Sequence, residues 1–139
     1  MFNLHGNDRL AEWKRFRNQI EVSSCPLQDV ANLWSTAPFV PNYLNPYDNN
    51  HWPDPWRLIL DGRFDNLAIC LGMLYTLQLT QRFMHSQYEI HMSNIPKMKD
   101  PAFYLSIDRS FILNYTYKQV VPYDDELLKD TTLLFVTKK

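Results

Sequence analysis

A thiol, an imidazole and a carboxylate follow one another along this chain as Cys70, His91 and Asp108. In that combination a thiolate can attack a carbonyl carbon, the imidazole can take up and return a proton, and the carboxylate can orient the imidazole. Other starting points for chemistry are thinner. His5, His51 and His85 have no spacing that suggests a shared metal, so no metal site is expected. With only Gly6, Gly62 and Gly72, there is no glycine-rich loop to cradle a phosphate, and no cofactor is expected. Cys25 and Cys70 form no CxxC pair, which argues against a disulfide or zinc framework.

The elements that must position these groups are organised around Asp61 to Phe83, expected to form one central helix. Nearly every residue from Leu67 to Tyr75 is apolar, so no face is left for water, and a helix of that kind is buried. The run is about half of the ~20 residues a membrane span needs. Cys70 therefore sits where burial raises a thiol's pKa, and a structural thiol is expected there. Gly72 within the helix predicts a close backbone or aromatic contact.

Before that helix, residues 7–35 read as surface helices. The first, capped by Asn7 or Asp8, carries a narrow stripe of Leu10, Trp13, Phe16 or Arg17, and Ile20. The second opens at Pro26 and faces inward with Leu27, Val30, Ala31 and Trp34. Residues 36–55 hold five of the nine prolines and read as an extended wrap carrying Phe39, Tyr43, Tyr47 and Trp52. Residues 55–83 form a short helix, with Trp56 and Ile59 or Leu60 beneath the central helix, and then that helix itself. From 87 to 137 the period changes to two. Tyr88, Ile90 and Met92 alternate with Glu89, His91 and Ser93, and a loop through Pro96 and Pro101 follows. Phe103–Ile107 and Phe111–Tyr117 make a hairpin about Asp108, Arg109 and Ser110, and a last strand runs from Thr131 to Thr137. The order, helices first and strands after, predicts a single α+β domain: N-terminal helices and a buried central helix packed on a small antiparallel sheet.

The sequence resembles transglutaminase-like, papain-like proteins between about Trp56 and Tyr117. In that family a cysteine opens the central helix in a Gly-x-Cys-x-x-x-Ala pattern, followed by histidine and aspartate on later strands. Here Gly62-Arg63-Phe64-Asp65-Asn66-Leu67-Ala68 keeps the glycine and the alanine, and Phe64 stands in the thiol's place. His91 resembles the family's histidine and Asp108 its aspartate. The resemblance thus implies a papain-like fold with Phe64, His91 and Asp108 as vestigial site residues, no catalytic residue and no enzyme activity. The stretch WPDPWRLILDGRFDNLAICLGMLYTLQL is also similar to short proteins of tailed bacteriophages.

Composition adds exclusions. Net charge is −1, and the short basic patch Lys14, Arg15, Arg17 reads as a solvated helix face, so no nucleic-acid footprint is present. No secretory signal opens the sequence, which predicts synthesis in a cytoplasm, with incorporation in a virus particle following from the phage likeness. The aromatic share, 14%, is unusual; aromatic residues fill cores and are also enriched at interfaces. The function expected is therefore a structural or adaptor protein: a virion tail, neck or baseplate subunit that contacts other protein subunits, with no membrane partner. Phe39, Tyr43, Tyr47, Trp52 and Trp13 are its expected contact residues. Two other readings remain: a papain-like cysteine hydrolase or acyltransferase using Cys70, His91 and Asp108, and a small-ligand or peptide-binding module that keeps the ancestral cleft with Phe64 as its floor.

Overall fold

The computed structural model describes residues 1–94 and 101–137. Four helices, α1 (Gly6–Val22), α2 (Pro26–Trp34), α3 (Pro55–Asp61) and α4 (Asn66–Gln78), precede five strands, β1 (Tyr88–Ser93), β2 (Phe103–Ile107), β3 (Phe111–Leu113), β4 (Val120–Pro122) and β5 (Thr131–Val136). The sheet is antiparallel in the order β4-β3-β2-β1-β5. The α+β expectation is borne out, and the loop through Pro96 lies outside the described residues.

α4 is the centre, though shorter than its apolar reading implied. Gly62, at φ +63, ends α3 in the left-handed region, and Arg63 and Phe64 continue extended. The helix begins only after Asp65, whose side chain accepts from the Ala68 amide at 2.8 Å. Asp61, expected to open the central helix, instead closes α3. A side chain at Gly62 would also strike the Arg9 guanidinium, whose Nη1 donates to the Ile59 carbonyl at 2.9 Å.

One hydroxyl ties three helices together. Thr76 Oγ1 on α4 accepts from Trp13 Nε1 of α1 and Trp34 Nε1 of α2, each at 3.0 Å, and donates to the Gly72 carbonyl at 2.6 Å. Its donor and both acceptor sites are thereby used, and all three side chains are fully buried. Gly72 is needed because a Cβ there would meet the Trp34 ring at 2.2 Å. Trp13 is thus fully buried by its own chain, which corrects its expected place at an interface. α1 lies against α3 rather than alone on the surface, so its narrow stripe suffices to bury Arg9, Trp13 and Ile20. On α3 the inward place expected for Ile59 is borne out and that of Trp56 is not: Leu58 and Ile59 are buried, while Trp56 and Leu60 are exposed.

The sheet's α4 side carries Tyr88, Ile90 and Met92 of β1 with Phe103, Leu105 and Ile107 of β2, all in the main core. On its other side Tyr104, Ile112 and Leu128 form a smaller cluster. The final strand expected from Thr131 forms as β5, but it pairs with β1 at the far edge rather than with the preceding strand. β3 ends at Leu113, where Asn114 turns to φ +66, four residues short of the expected end at Tyr117.

Candidate functional site

The start of α4 meets two other parts of the chain. The proline-rich wrap approaches from one side: Val40 donates its amide to the Phe64 carbonyl at 3.0 Å, making a single parallel bridge between Phe39 and Phe64. From the other side comes the start of β2, where the Pro101 carbonyl lies 3.4 Å from Asn66 Nδ2. Between them lies a cleft of about 140 Å³, lined by Phe39, Asn42, Leu44, Asn66, Pro101 and Phe103 among others. That volume is well below the ~300–1,000 Å³ of typical small-molecule sites, and it suits one side chain of a longer ligand.

Asp65 organises this place. Besides capping the helix, its second oxygen accepts from the amides of Tyr43 (2.9 Å) and Leu44 (2.8 Å), so one carboxylate fastens the wrap to the helix start. An amide of the first turn, where a helix start favours an anion, is therefore engaged by the protein's own carboxylate. Phe64, in the thiol's place, points away from the cleft: it is fully buried, with its ring edge-on to Phe2 at 5.2 Å and Trp34 at 5.4 Å. It is a core residue and not the cleft's floor.

The residues that the sheet brings here are Phe103, the first of β2, and Pro101 just before that strand. Asn114, at the end of β3, donates Nδ2 to the Phe103 carbonyl at 2.8 Å. Neither an imidazole nor a carboxylate from a strand reaches the cleft among the described residues. His91 lies on the opposite face of the sheet from α4, with Nε2 3.2 Å from Glu89 Oε1 and Nδ1 3.3 Å from Thr131 Oγ1. Glu89, itself buried, also accepts from Arg109 Nε and Nη2, which raises the arginine's pKa. Asp108 sits in the β2–β3 turn at φ +53 and accepts from the Gln87 amide at 2.7 Å. It is thus beside Gln87, the residue before β1, four residues or ~13 Å along the chain from His91. Cys70 is fully buried and desolvation pushes its thiol far above the ordinary range, so Cys70, His91 and Asp108 do not assemble into a relay. The alternation around His91 already separated it from the core side of β1. What the one-dimensional pattern lacked was that the core side is also the side of α4.

Of the expected contact residues, Phe39 and Tyr47 are exposed, and Tyr43 and Trp52 are half-buried. Tyr43 Oη donates to Asp61 Oδ2 at 2.6 Å, and burial together with that carboxylate pushes its pKa up to about 12. Trp52 donates Nε1 to the Asn45 carbonyl and packs its ring on Phe135 of β5 at 5.9 Å, so the wrap's aromatic residues are partly spent within the domain. Among the described residues no three His, Cys, Asp or Glu side chains converge as a metal site, and no helix is long and apolar enough to cross a membrane.

These features have a counterpart among solved structures. The chain resembles LapG of Legionella pneumophila. The likeness covers 98% of this chain and 78% of LapG, at 12% identity and a TM-score of 0.69. The calcium-bound form gives 0.70 over the same shares, and the EGTA-treated form 0.69 over 76% of its chain. No family model and no curated protein matches the sequence. LapG is a transglutaminase-like, papain-like cysteine protease, so the expected fold is supported, whereas nothing supports the phage resemblance. The likeness also overturns the expectation that this chain is no enzyme, because nearly all of it follows the scaffold of one. Phe64 speaks only to a thiol at one position, and one absent nucleophile is too narrow a ground for denying all chemistry at the cleft.

Proposed function

We propose that the cleft at the start of α4 binds an extended polypeptide segment, so that the chain recognises another protein there. The observation that carries this reading is the cleft itself: a single-side-chain cavity between the wrap and β2, at the helix start where a papain-like protease keeps its nucleophile. A protease's polypeptide substrate must pass that point, and LapG is a protease of this fold. Apolar walls from Phe39, Leu44, Pro101 and Phe103 suit one inserted side chain. The amide groups of Asn42 and Asn66 on the same walls suit the polar backbone on either side of it.

The test is selection of a randomised peptide library on the wild-type protein and on Asn66→Arg, whose longer side chain fills the cleft from the first turn of α4. Peptides enriched on the wild type should be lost on the variant while its melting temperature stays unchanged. Mass spectra of the recovered peptides show in the same sample whether any bond is cut. Equal enrichment on both proteins would place recognition elsewhere and defeat the proposal.

A further inference from the structure

On α1, the Arg17 guanidinium sits over tryptophan rings and has no ion-pair partner among the described residues. The Arg17 guanidinium lies over the Trp13 ring, 4.5 Å from its centre, and 5.6 Å from the centre of Trp56, whose ring packs edge-on against Trp13 at 5.8 Å. Its Nε is buried without a hydrogen-bond partner, and among the described residues no carboxylate pairs with it. The neighbouring carboxylates are committed. Glu21, one turn further along α1 and the natural i,i+4 partner, accepts instead from the amides of Gln81 (2.8 Å) and Arg82 (3.0 Å). Glu12 pairs with Arg15, Asp61 with Arg57, and Asp54 accepts from the Arg57 amide. Desolvation accordingly lowers the Arg17 pKa with nothing opposing it.

Beside this cation lies exposed apolar surface. Trp56 is 47% and Leu60 45% exposed; four residues apart on α3, they share one face. Arginine stacked on tryptophan is the composition of an interface hot spot, and a carboxylate arriving there would restore the charge balance of a partly desolvated guanidinium. A nucleic acid would require a run of such cations, but Arg15 and Arg57 next along these helices are already paired.

We propose that the α1–α3 seam is a docking surface for an acidic polypeptide segment of a partner protein, seating one carboxylate on Arg17 and an adjacent apolar side chain on Trp56 and Leu60. This surface is separate from the α4 cleft and stands without it. The geometry explains why Trp56 and Leu60 stay exposed while Leu58 and Ile59 on the same short helix fill the core.

The test is titration of the protein with a short fluorescein-labelled peptide alternating glutamate and leucine, and with its glutamine counterpart, followed by anisotropy and tryptophan emission. The glutamate peptide should bind about tenfold more tightly, with the advantage shrinking as salt rises. Arg17→Met should remove the advantage, and Trp56→Ala should weaken both peptides. Equal binding of the two peptides by the wild-type protein would overturn the proposal without any variant. So would full discrimination by a folded Arg17→Met protein, or an oligonucleotide that competes for Arg17 more strongly than the glutamate peptide does. Should Arg17→Met fail to fold, Arg17→Lys keeps the charge but loses the planar fork, and it should retain only part of the advantage.

Discussion

Removing the Thr76 hydroxyl should cost the protein far more than removing its methyl group. Thr76→Val keeps the side chain's shape but strands two indole N–H groups, those of Trp13 and Trp34, in a core where both residues are fully buried. Each buried donor left without a partner costs roughly 1–3 kcal/mol, partly offset by the more apolar valine, so a net loss of about 3 kcal/mol is expected. Thr76→Ser keeps the hydroxyl and loses one methyl, at about 1 kcal/mol. With an unfolding entropy of ~2.1 cal/mol/K per residue, a chain of 139 residues loses ~3 °C in Tm per kcal/mol. The valine variant should therefore melt ~10 °C lower and the serine variant ~3 °C lower. Urea unfolding followed by tryptophan fluorescence measures both, because the two indoles concerned are themselves reporters. A valine variant as stable as the serine variant would show that the shared hydroxyl does not join α1, α2 and α4, and the account of this core would fail.

Two further outcomes are expected. Asp65→Ala removes a helix cap and the acceptor of two wrap amides at once, and should destabilise the protein by about 2–3 kcal/mol while raising hydrogen exchange at Tyr43 and Leu44 above that of the sheet; unchanged exchange there would mean the wrap is held by other contacts. In alkali, Tyr43 and Tyr75 both have pKa values pushed up to about 12, chiefly by burial, and a phenol raised in the folded state stabilises below its unfolded pKa near 10 and loses that contribution as pH rises through the folded value. Melting temperature should thus fall between about pH 10 and 12, more gently in Tyr43→Phe, and a flat profile alongside unfolded-like phenol absorbance would contradict the burial of these hydroxyls.

Much of the fold was legible from residue order because single-element signals were strong. Leu67 to Tyr75 left no polar face, and α4 is the buried centre; Pro26 opened α2 with its inward side correctly read; the alternation about His91 marked β1. Gly72 announced a close contact, and the Trp34 ring supplies it. The candidate site was less legible. The Gly62 to Ala68 pattern pointed to the neighbourhood of the helix start, but it set Phe64 at the head of a helix that begins only at Asn66, and it could not tell that Phe64 turns inward or that Asp65 secures the wrap.

Local periodicity states which residues share a face; it does not state what that face meets. Apolar content and alternation therefore settled the element types, the α+β class and the buried status of Cys70. The partners of each face were decided by contacts between distant segments: Trp13 became a core residue because the Thr76 hydroxyl, sixty-three positions away, accepts a hydrogen bond from its indole N–H. His91 left the site because β1 packs its other side on α4, and β5 crossed to the far edge because β1 had that edge free. Such choices depend on the joint packing of several faces, each individually satisfiable in more than one way, and only the assembled tertiary structure selects among them.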